Sequence, residues 1–227
     1  MTQNTQISIN RHELALLAAD AAGSARISGL PDSALDGLAV YLELLLRWNA
    51  AFNLVGFHSW QEIFTRLVAD SFYLADFLTR LFPPGEPLLW DLGAGAGLPG
   101  IPLRLIRPQG EYHMVERREK RALFLSTALA RLGLKGTHVF RGEAGHFFAS
   151  RRPPEDKPDG IVSRAFLPWP ALLELARPHL HPGGRLIIFA SKEAPAELPP
   201  AWKGVDFHAY AVAGDKRHLW ALAPSGD

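Results

Sequence analysis

LLWDLGAGAGLPGIPL, residues 88–103, runs from an apolar stretch into an acid and then into a turn rich in glycine. Four glycines follow Asp91, at Gly93, Gly95, Gly97 and Gly100. Glycine adopts positive φ without strain and lets a ligand approach the backbone closely. The apolar run predicts a buried strand, and its turn would lie at the carboxyl edge of the sheet, where open α/β folds bind ligands.

The chain after this turn alternates short apolar runs with helical stretches, which is typical of βαβ units and a parallel sheet. VDFHAYAV (205–212) and RHLWALAP (217–224) are separated only by AGDK. Four residues are too few for a crossover helix, so this pair predicts an antiparallel hairpin. We therefore expect an α/β Rossmann-like fold with a seven-stranded, mostly parallel sheet and an antiparallel last strand. This is the layout of the class I methyltransferases that depend on S-adenosylmethionine.

The chain before the turn reads as helical. Apolar residues recur at three- and four-residue spacing in 33–55 and again in 59–82. Ser59 with Glu62 three residues later forms a capping-box pattern, and Asp32 or Ser33 is expected to cap the earlier helix. The prolines of FPPGEP (82–87) end the helical part. We predict an N-terminal helical extension over residues 1–84, packed on a methyltransferase core over 85–227.

Composition limits the possible functions. The chain has 227 residues, a net charge of +1 and no cysteine, which excludes disulfides, thiolate metal sites and cysteine nucleophiles. No apolar run is long enough to span a membrane, and the polar start is unlike a signal peptide. We expect a cytoplasmic monomer that does not associate with a membrane and does not bind a metal. Basic residues cluster at 117–121 and 151–152, where they form either a phosphate-binding face or ordinary solvated surface.

Two cofactors compete for the glycine turn. GAGLPG (95–100) also satisfies the dinucleotide pattern, but a carboxylate at Asp91 would repel a pyrophosphate. S-adenosylmethionine has no phosphate and carries an ammonium and a sulfonium, which suit an acid. Glu116, at the end of the second strand, is placed to accept hydrogen bonds from ribose hydroxyls. The sequence thus favours S-adenosylmethionine over a nicotinamide cofactor, while a glycine turn without any ligand stays the alternative.

A motif and a residue type that the chain lacks limit the possible methyl acceptors. Enzymes that methylate the adenine amine often carry an Asn/Asp-Pro-Pro-aromatic motif after the fourth strand, where this chain has DGIVSRAF (159–166). Attack at cytosine C5 needs a cysteine. Guanine N7 carries a free lone pair and no proton, so its methylation needs no general base, only alignment and a site that tolerates the resulting cation. No residue is accordingly assigned as a catalytic acid or base.

The order of several motifs resembles the bacterial RsmG/GidB family, from about residue 35 to 224. The motifs are WNAAFNLVGF, RLVADS, DLGAGAGLPGIPL, RGE, DGIVSRAF, FASK and KRHLWAL. Members of this family methylate guanine N7 in small-subunit ribosomal RNA (16S), with S-adenosylmethionine as cofactor. The resemblance implies the same substrate and cofactor for this chain.

The resemblance also implies roles for residues around the cofactor. Gly93 and Leu98 are expected to line it from the first turn, and Gly142 and Glu143 of RGE to border the adenine. Arg164 of SRAF is expected at the cofactor, where the acceptor arrives. Alternatively, Arg164 forms a structural ion pair with Asp70 or Asp91, and Glu143 is a solvated surface acid.

The RNA-binding residues are predicted from strand ends and family positions. Phe166 either stacks on an unpaired base or belongs to the core. Lys192 and Arg217 lie near the same sheet edge and are expected to neutralise phosphates. Asn53 and Arg66 on the helical extension, with Asp70, either contact RNA or brace the site.

The chain departs from the family pattern at three positions. Leu67 replaces a histidine, Val55 a threonine, and Glu193 a glycine. Leu67 and Glu193 bear on how the RNA is recognised. Beside the favoured function, two rival functions stay open: a methyltransferase of similar fold that acts on a small molecule, and an RNA-binding assembly protein without catalysis.

Overall fold

The computed structural model describes residues 8–152 and 155–225. Its centre is a seven-stranded sheet in the order β3-β2-β1-β4-β5-β7-β6. The strands are β1 Leu88–Leu92, β2 Glu111–Glu116, β3 Thr137–Arg141, β4 Gly160–Arg164, β5 Arg185–Ala190, β6 Trp202–Val212 and β7 Asp215–Pro224. Five strands pair in parallel, and β7 is antiparallel to both β5 and β6. The predicted fold class is therefore confirmed.

Helices cover both faces of the sheet. The helices are α1 Arg11–Ser24, α2 Asp32–Phe52, α3 Trp60–Ile63, α4 Ala69–Leu81, α5 Gly100–Ile106, α6 Glu119–Leu132, α7 Ala144–Ala149 and α8 Trp169–Ala176. A π-helical turn, Phe64–Val68, joins α3 to α4, and a 3₁₀ turn, Arg177–His179, follows α8. One apolar cluster packs α1, α2, α4, α5 and α6 on one face, and a second packs α7 and α8 on the other. None of the described helices is both long and apolar enough to cross a bilayer.

The last two strands form the predicted hairpin. Val212 pairs with Asp215, and the two residues between them, Ala213 and Gly214, both have positive φ. A two-residue turn of this kind matches the right-handed twist of antiparallel strands. The hairpin thus places β6 at one edge of the sheet.

The helical extension packs directly on the sheet. Helix α4 contacts β6 and β7, and the apolar cluster on this face runs from Ile9 to Ala221. Ser59 is confirmed as the predicted cap, because its hydroxyl accepts from the Glu62 backbone N–H at 3.3 Å. The Glu62 carboxylate accepts from the same hydroxyl at 2.8 Å. The predicted cap of α2 is wrong: the N-cap is Pro31, which makes no side-chain capping bond. The domain division at residue 84 stays a prediction.

Candidate functional site

The glycine turn lies where β1 ends and is bonded to the neighbouring strand. The Val115 carbonyl of β2 accepts hydrogen bonds from the backbone N–H groups of Gly93 and Ala94, at 2.9 and 3.1 Å. Gly93 and Gly95 have φ of +76° and +61°, in the left-handed region that glycine tolerates. A Cβ at residue 93 would lie 2.7 Å from Cδ2 of Phe166. Glycine is therefore required at residue 93 for both conformation and space.

Glu116 holds the turn from the end of β2. One carboxylate oxygen accepts from the Gly95 N–H at 2.9 Å, and the other accepts from the Arg118 N–H at 2.8 Å. Its side chain is buried but lines a cavity at the carboxyl edge of the sheet. A carboxylate offers about four acceptor positions, so Glu116 keeps lone pairs free to accept bonds from a ligand.

This cavity, called here the glycine-turn cavity, has a volume of about 460 Å³. The predicted residues that line it are Gly93, Glu116, Gly142, Glu143 and Phe166. Three basic residues of the 117–121 cluster line it as well, namely Arg117, Arg118 and Arg121. The structure thus brings the ends of β1, β2, β3 and β4 together around one space, as the sequence predicted.

A second cavity lies beside the first, on the β5 side. This cavity, called here the β5 cavity, has a volume of about 340 Å³ and shares Ala165 and Leu167 with the glycine-turn cavity. Lys192 lines it, together with Ser163 and Trp220. Ala165 has φ of +56°, a conformation that is strained for alanine. The segment between the two cavities is therefore held in a strained backbone conformation, which is frequent at functional sites.

Asp91 does not line either cavity. Its carboxylate is buried and accepts a hydrogen bond from the Tyr112 hydroxyl at 3.1 Å. Burial raises the pKa of Asp91 to about 7, although the bond from Tyr112 and the charge of Arg164 oppose that rise. In this structure Glu116 and Glu143 are the acids that line the glycine-turn cavity, and Asp91 lies behind the turn.

Gly97 and Leu98 also lie behind the turn. A Cβ on Gly97 would come within 2.5 Å of Ile101 and 2.9 Å of Leu125, so this glycine allows close packing of α5 and α6. Leu98 is buried in the apolar cluster. Both residues shape the turn, but neither lines the cavity.

Arg164 and Arg217 converge on one buried acid, Asp70 of α4. Asp70 Oδ2 accepts from Arg164 at 3.0 Å and from Arg217 at 2.5 Å, while Oδ1 accepts from the Tyr210 hydroxyl at 3.0 Å. Asp70 is only 2% exposed. Arg164 therefore forms an ion pair with Asp70, which is one of the two alternatives stated for it above. Neither Arg164 nor Arg217 lines the glycine-turn cavity or the β5 cavity.

The two predicted residues of the extension lie farther from the cavities. Asn53 is exposed and ends α2 in the left-handed conformation. Arg66 lies in the π-helical turn, 3.7 Å from Asp215, with its guanidinium over the ring of Phe57. Its carbonyl accepts a bond from Arg217. Asn53 and Arg66 are surface residues of the extension and line neither cavity.

Two hydroxyls that the sequence analysis did not single out support the glycine turn. Tyr41 of α2 donates to the Ala96 carbonyl at 2.8 Å, and Ser71 of α4 donates to the Pro99 carbonyl at 3.0 Å. Their only sequence signal is a polar group on a helix face that is otherwise apolar. The helical extension therefore holds the turn in place through two buried bonds.

One group of metal-type ligands lies elsewhere. Glu111 and His113 of β2 and His138 of β3 offer ligand atoms within 4.8 Å of one another. Burial and the charge of His138 lower the pKa of His113 to about 4. Glu111 begins β2, whereas Glu116 ends it, so the group lies away from the glycine turn. The expectation that no metal takes part stays a prediction.

Comparisons with known proteins point to one family. The family model GidB, described as rRNA small subunit methyltransferase G, matches residues 34–212. The chain is 51% identical to ribosomal RNA small subunit methyltransferase G of Nitratidesulfovibrio vulgaris, over 84% of this chain and 85% of that protein. It is 44% identical to the protein of the same name from Oleidesulfovibrio alaskensis, over 86% and 87% of the two chains.

Solved structures agree on the fold. An O-methyltransferase from Bacillus cereus, solved with SAH, superposes with a TM-score of 0.59 at 17% identity, over 82% of this chain and 91% of that one. A SAM-dependent methyltransferase from Aquifex aeolicus gives a TM-score of 0.50 at 17% identity, over 71% and 92%. At such low identity these likenesses show the fold alone.

Proposed function

Because this chain belongs to the GidB family, rRNA small subunit methyltransferase G, we propose that it methylates N7 of one guanine in small-subunit ribosomal RNA, with S-adenosylmethionine as the methyl donor. The match of the family model to residues 34–212 carries this proposal. The chain is a methyltransferase by family and by fold. Action on ribosomal RNA implies a cytoplasmic protein, and a monomer would suffice because one chain supplies both cavities.

The glycine-turn cavity fits the cofactor. Its volume of about 460 Å³ lies within the roughly 300–1,000 Å³ of small-molecule sites. Glu116 keeps acceptor positions for a ribose diol, and Val115 and Phe166 offer apolar surface for an adenine. S-adenosylmethionine, when bound, supplies an activated methyl group.

The protein's own part in the reaction is positioning. N7 of guanine has no proton to lose, so methylation there requires no cavity residue to act as a general base. Glu116 and the Val115 carbonyl fix the glycine turn, and Tyr41 and Ser71 support it from behind. A rigid site lowers the barrier by holding the reactants in a productive geometry.

Transfer of radiolabelled methyl groups tests the proposal. Purified protein is incubated with labelled S-adenosylmethionine and small ribosomal subunits from cells that lack the gene. We expect label in the ribosomal RNA, at one guanine N7 that reductive strand cleavage maps. Subunits from cells that carry the gene are the control and should accept no label, because the position is already methylated.

The rival functions give different results. Label that enters only small metabolites would favour a small-molecule methyltransferase. Calorimetric titration with S-adenosylhomocysteine separates the second rival, since an RNA-binding assembly protein without catalysis need not bind this compound. RNA binding without any affinity for the cofactor would overturn the proposed activity.

A further inference from the structure

We propose that Glu111, His113 and His138 bind a divalent transition-metal ion such as Zn²⁺ and so join the edge strand β3 to β2. One ligand atom from each residue lies within 4.8 Å of the other two. Two imidazoles and one carboxylate form an established ligand set for Zn²⁺, with a fourth position left for water. No metal was expected from the sequence, but its lack of cysteine excludes only thiolate ligands.

The register of the sheet brings the three side chains together. His113 of β2 and His138 of β3 are directly paired, so both rings lie on the same face of the sheet. The two rings are stacked, with centroids 4.7 Å apart. Glu111 precedes His113 by two residues on β2 and therefore points to that face as well. Strand pairing thus gathers two imidazoles and a carboxylate at one place.

Small side-chain movements suffice for the three ligand atoms to share one ion. Two atoms that bind the same Zn²⁺ at about 2.1 Å in a tetrahedral arrangement lie about 3.4 Å apart. Starting from separations within 4.8 Å, the side chains close by no more than about 1.4 Å. Glu111 Oε2 already lies 2.6 Å from Nε2 of His138. Rotation about χ2 of histidine, which has a broad energy well, aims the ring nitrogens at a common point.

The three ligands are accessible to an ion in solution. The side chains of Glu111 and His138 are 54% and 52% exposed, and His113 is half-buried beside Phe147. Imidazole nitrogen suits Zn²⁺, Ni²⁺ and Cu²⁺, whereas Mg²⁺ and Ca²⁺ prefer oxygen ligands. Because β3 is the last strand at its edge of the sheet, an ion held by both strands would stabilise that edge.

Calorimetric titration with Zn²⁺ tests the site, on the full chain without an affinity tag and after removal of metal by a chelator. We expect the unmodified protein to bind one Zn²⁺ per chain. His113→Gln and His138→Gln should each lower the affinity by about a hundredfold or more, since even the loss of a residue that supports a ligand costs about 10–100-fold. His208→Gln is the matched control and should keep the affinity. His208 also follows an acid, Asp206, by two residues on an edge strand, but its paired residue is Leu219, which cannot bind a metal.

Two calorimetric results would overturn the proposal. If the unmodified protein does not bind one Zn²⁺ per chain, Glu111 and His138 form only a surface ion pair. If His138→Gln binds Zn²⁺ as tightly as the unmodified protein, the ion lies elsewhere. Should His113→Gln fail to fold, His138→Gln and Glu111→Gln decide by the same loss of affinity, because both change exposed side chains.

Hydrogen exchange locates the ion in the fold. A ligand that binds only the folded protein slows the opening of the elements that it joins. We expect Zn²⁺ to slow exchange of the backbone amides of β3 in the unmodified protein and in His208→Gln, but not in His138→Gln. Slower exchange at β6 with no change at β3 would contradict the proposed ligands. Neither measurement uses methyl transfer, so the result is independent of the proposed function.

Discussion

At the scale of single residues, the absence of a side chain at Gly93 leaves room for Phe166 in the wall of the glycine-turn cavity. Its positive φ is shared with Gly133, which ends α6, but a Cβ on Gly133 would have no neighbour within 4 Å, whereas one on Gly93 would collide with Phe166. We expect alanine at residue 133 to cost about 1 kcal/mol of stability, because alanine is strained at positive φ, and alanine at residue 93 to cost more, because its Cβ also collides with Phe166. Only Gly93→Ala should also weaken the binding of S-adenosylhomocysteine, by about tenfold, since it displaces a cavity wall.

Calorimetric titration of both variants measures this difference. Gly133→Ala is the control for backbone strain alone. Equal affinity in the two variants would mean that Phe166 yields without cost, and that the cavity beside Gly93 is not where the cofactor binds.

The raised pKa of Asp91 predicts how the stability of the protein depends on pH. Burial raises its pKa to about 7, above the value of about 3.9 expected in the unfolded chain. Between these values the folded protein holds a proton that the unfolded chain has lost, so the stability due to this group is complete at low pH and is lost as pH rises towards 7. Asparagine resembles the protonated acid and does not titrate.

We therefore expect Asp91→Asn to gain stability relative to the unmodified protein by about 2 kcal/mol between pH 5.5 and pH 8. Urea denaturation at several pH values measures the difference in free energy of unfolding. Asp20→Asn, at an exposed position on α1, is the control and should show a nearly constant difference. A constant difference for Asp91→Asn as well would show that the buried carboxylate keeps its ordinary pKa.

At the scale of elements, Asp70 connects α4 to the ends of β4 and β7. Asp70→Asn leaves Arg164 and Arg217 without their shared counter-charge, and breaking a buried ion pair costs about 3 kcal/mol or more. Asp76→Asn on the same helix removes a partner of the more exposed Arg80 and should cost less than about 1 kcal/mol. Urea denaturation compares the two variants. Similar small losses would mean that the Asp70 cluster contributes no more than a surface pair.

The elements were more predictable than the contacts between them. Periodicity located the individual strands and the hairpin because each depends on residues close in sequence, as AGDK between β6 and β7 illustrates. The role of Tyr41 was not predictable, because its bond to Ala96 joins residues 55 positions apart. The role of Arg217 was not predictable either. The sequence indicated a phosphate ligand, because the ion pair with Asp70 joins residues 147 positions apart.

At the scale of the whole molecule, a net charge of +1 hides an uneven distribution. Lys192 lines the β5 cavity, and Arg117, Arg118 and Arg121 line the glycine-turn cavity beside it. All four lie at the carboxyl edge of the sheet, where the strand ends meet. This edge is the face we expect to contact RNA, because cations gathered on one face bind the phosphate backbone.

The salt dependence of RNA binding tests which cations take part. Each phosphate contact that is lost lowers the slope of log affinity against log salt by about 1. We expect this decrease for Lys192→Gln and no decrease for Lys135→Gln, the control, since exposed Lys135 precedes β3 at the opposite edge. Arg217→Gln should instead lower the stability, because its charge is already paired with Asp70. An equal decrease for Lys135→Gln would place RNA on both edges, and a decrease for Arg217→Gln alone would move the RNA face to the Asp70 cluster.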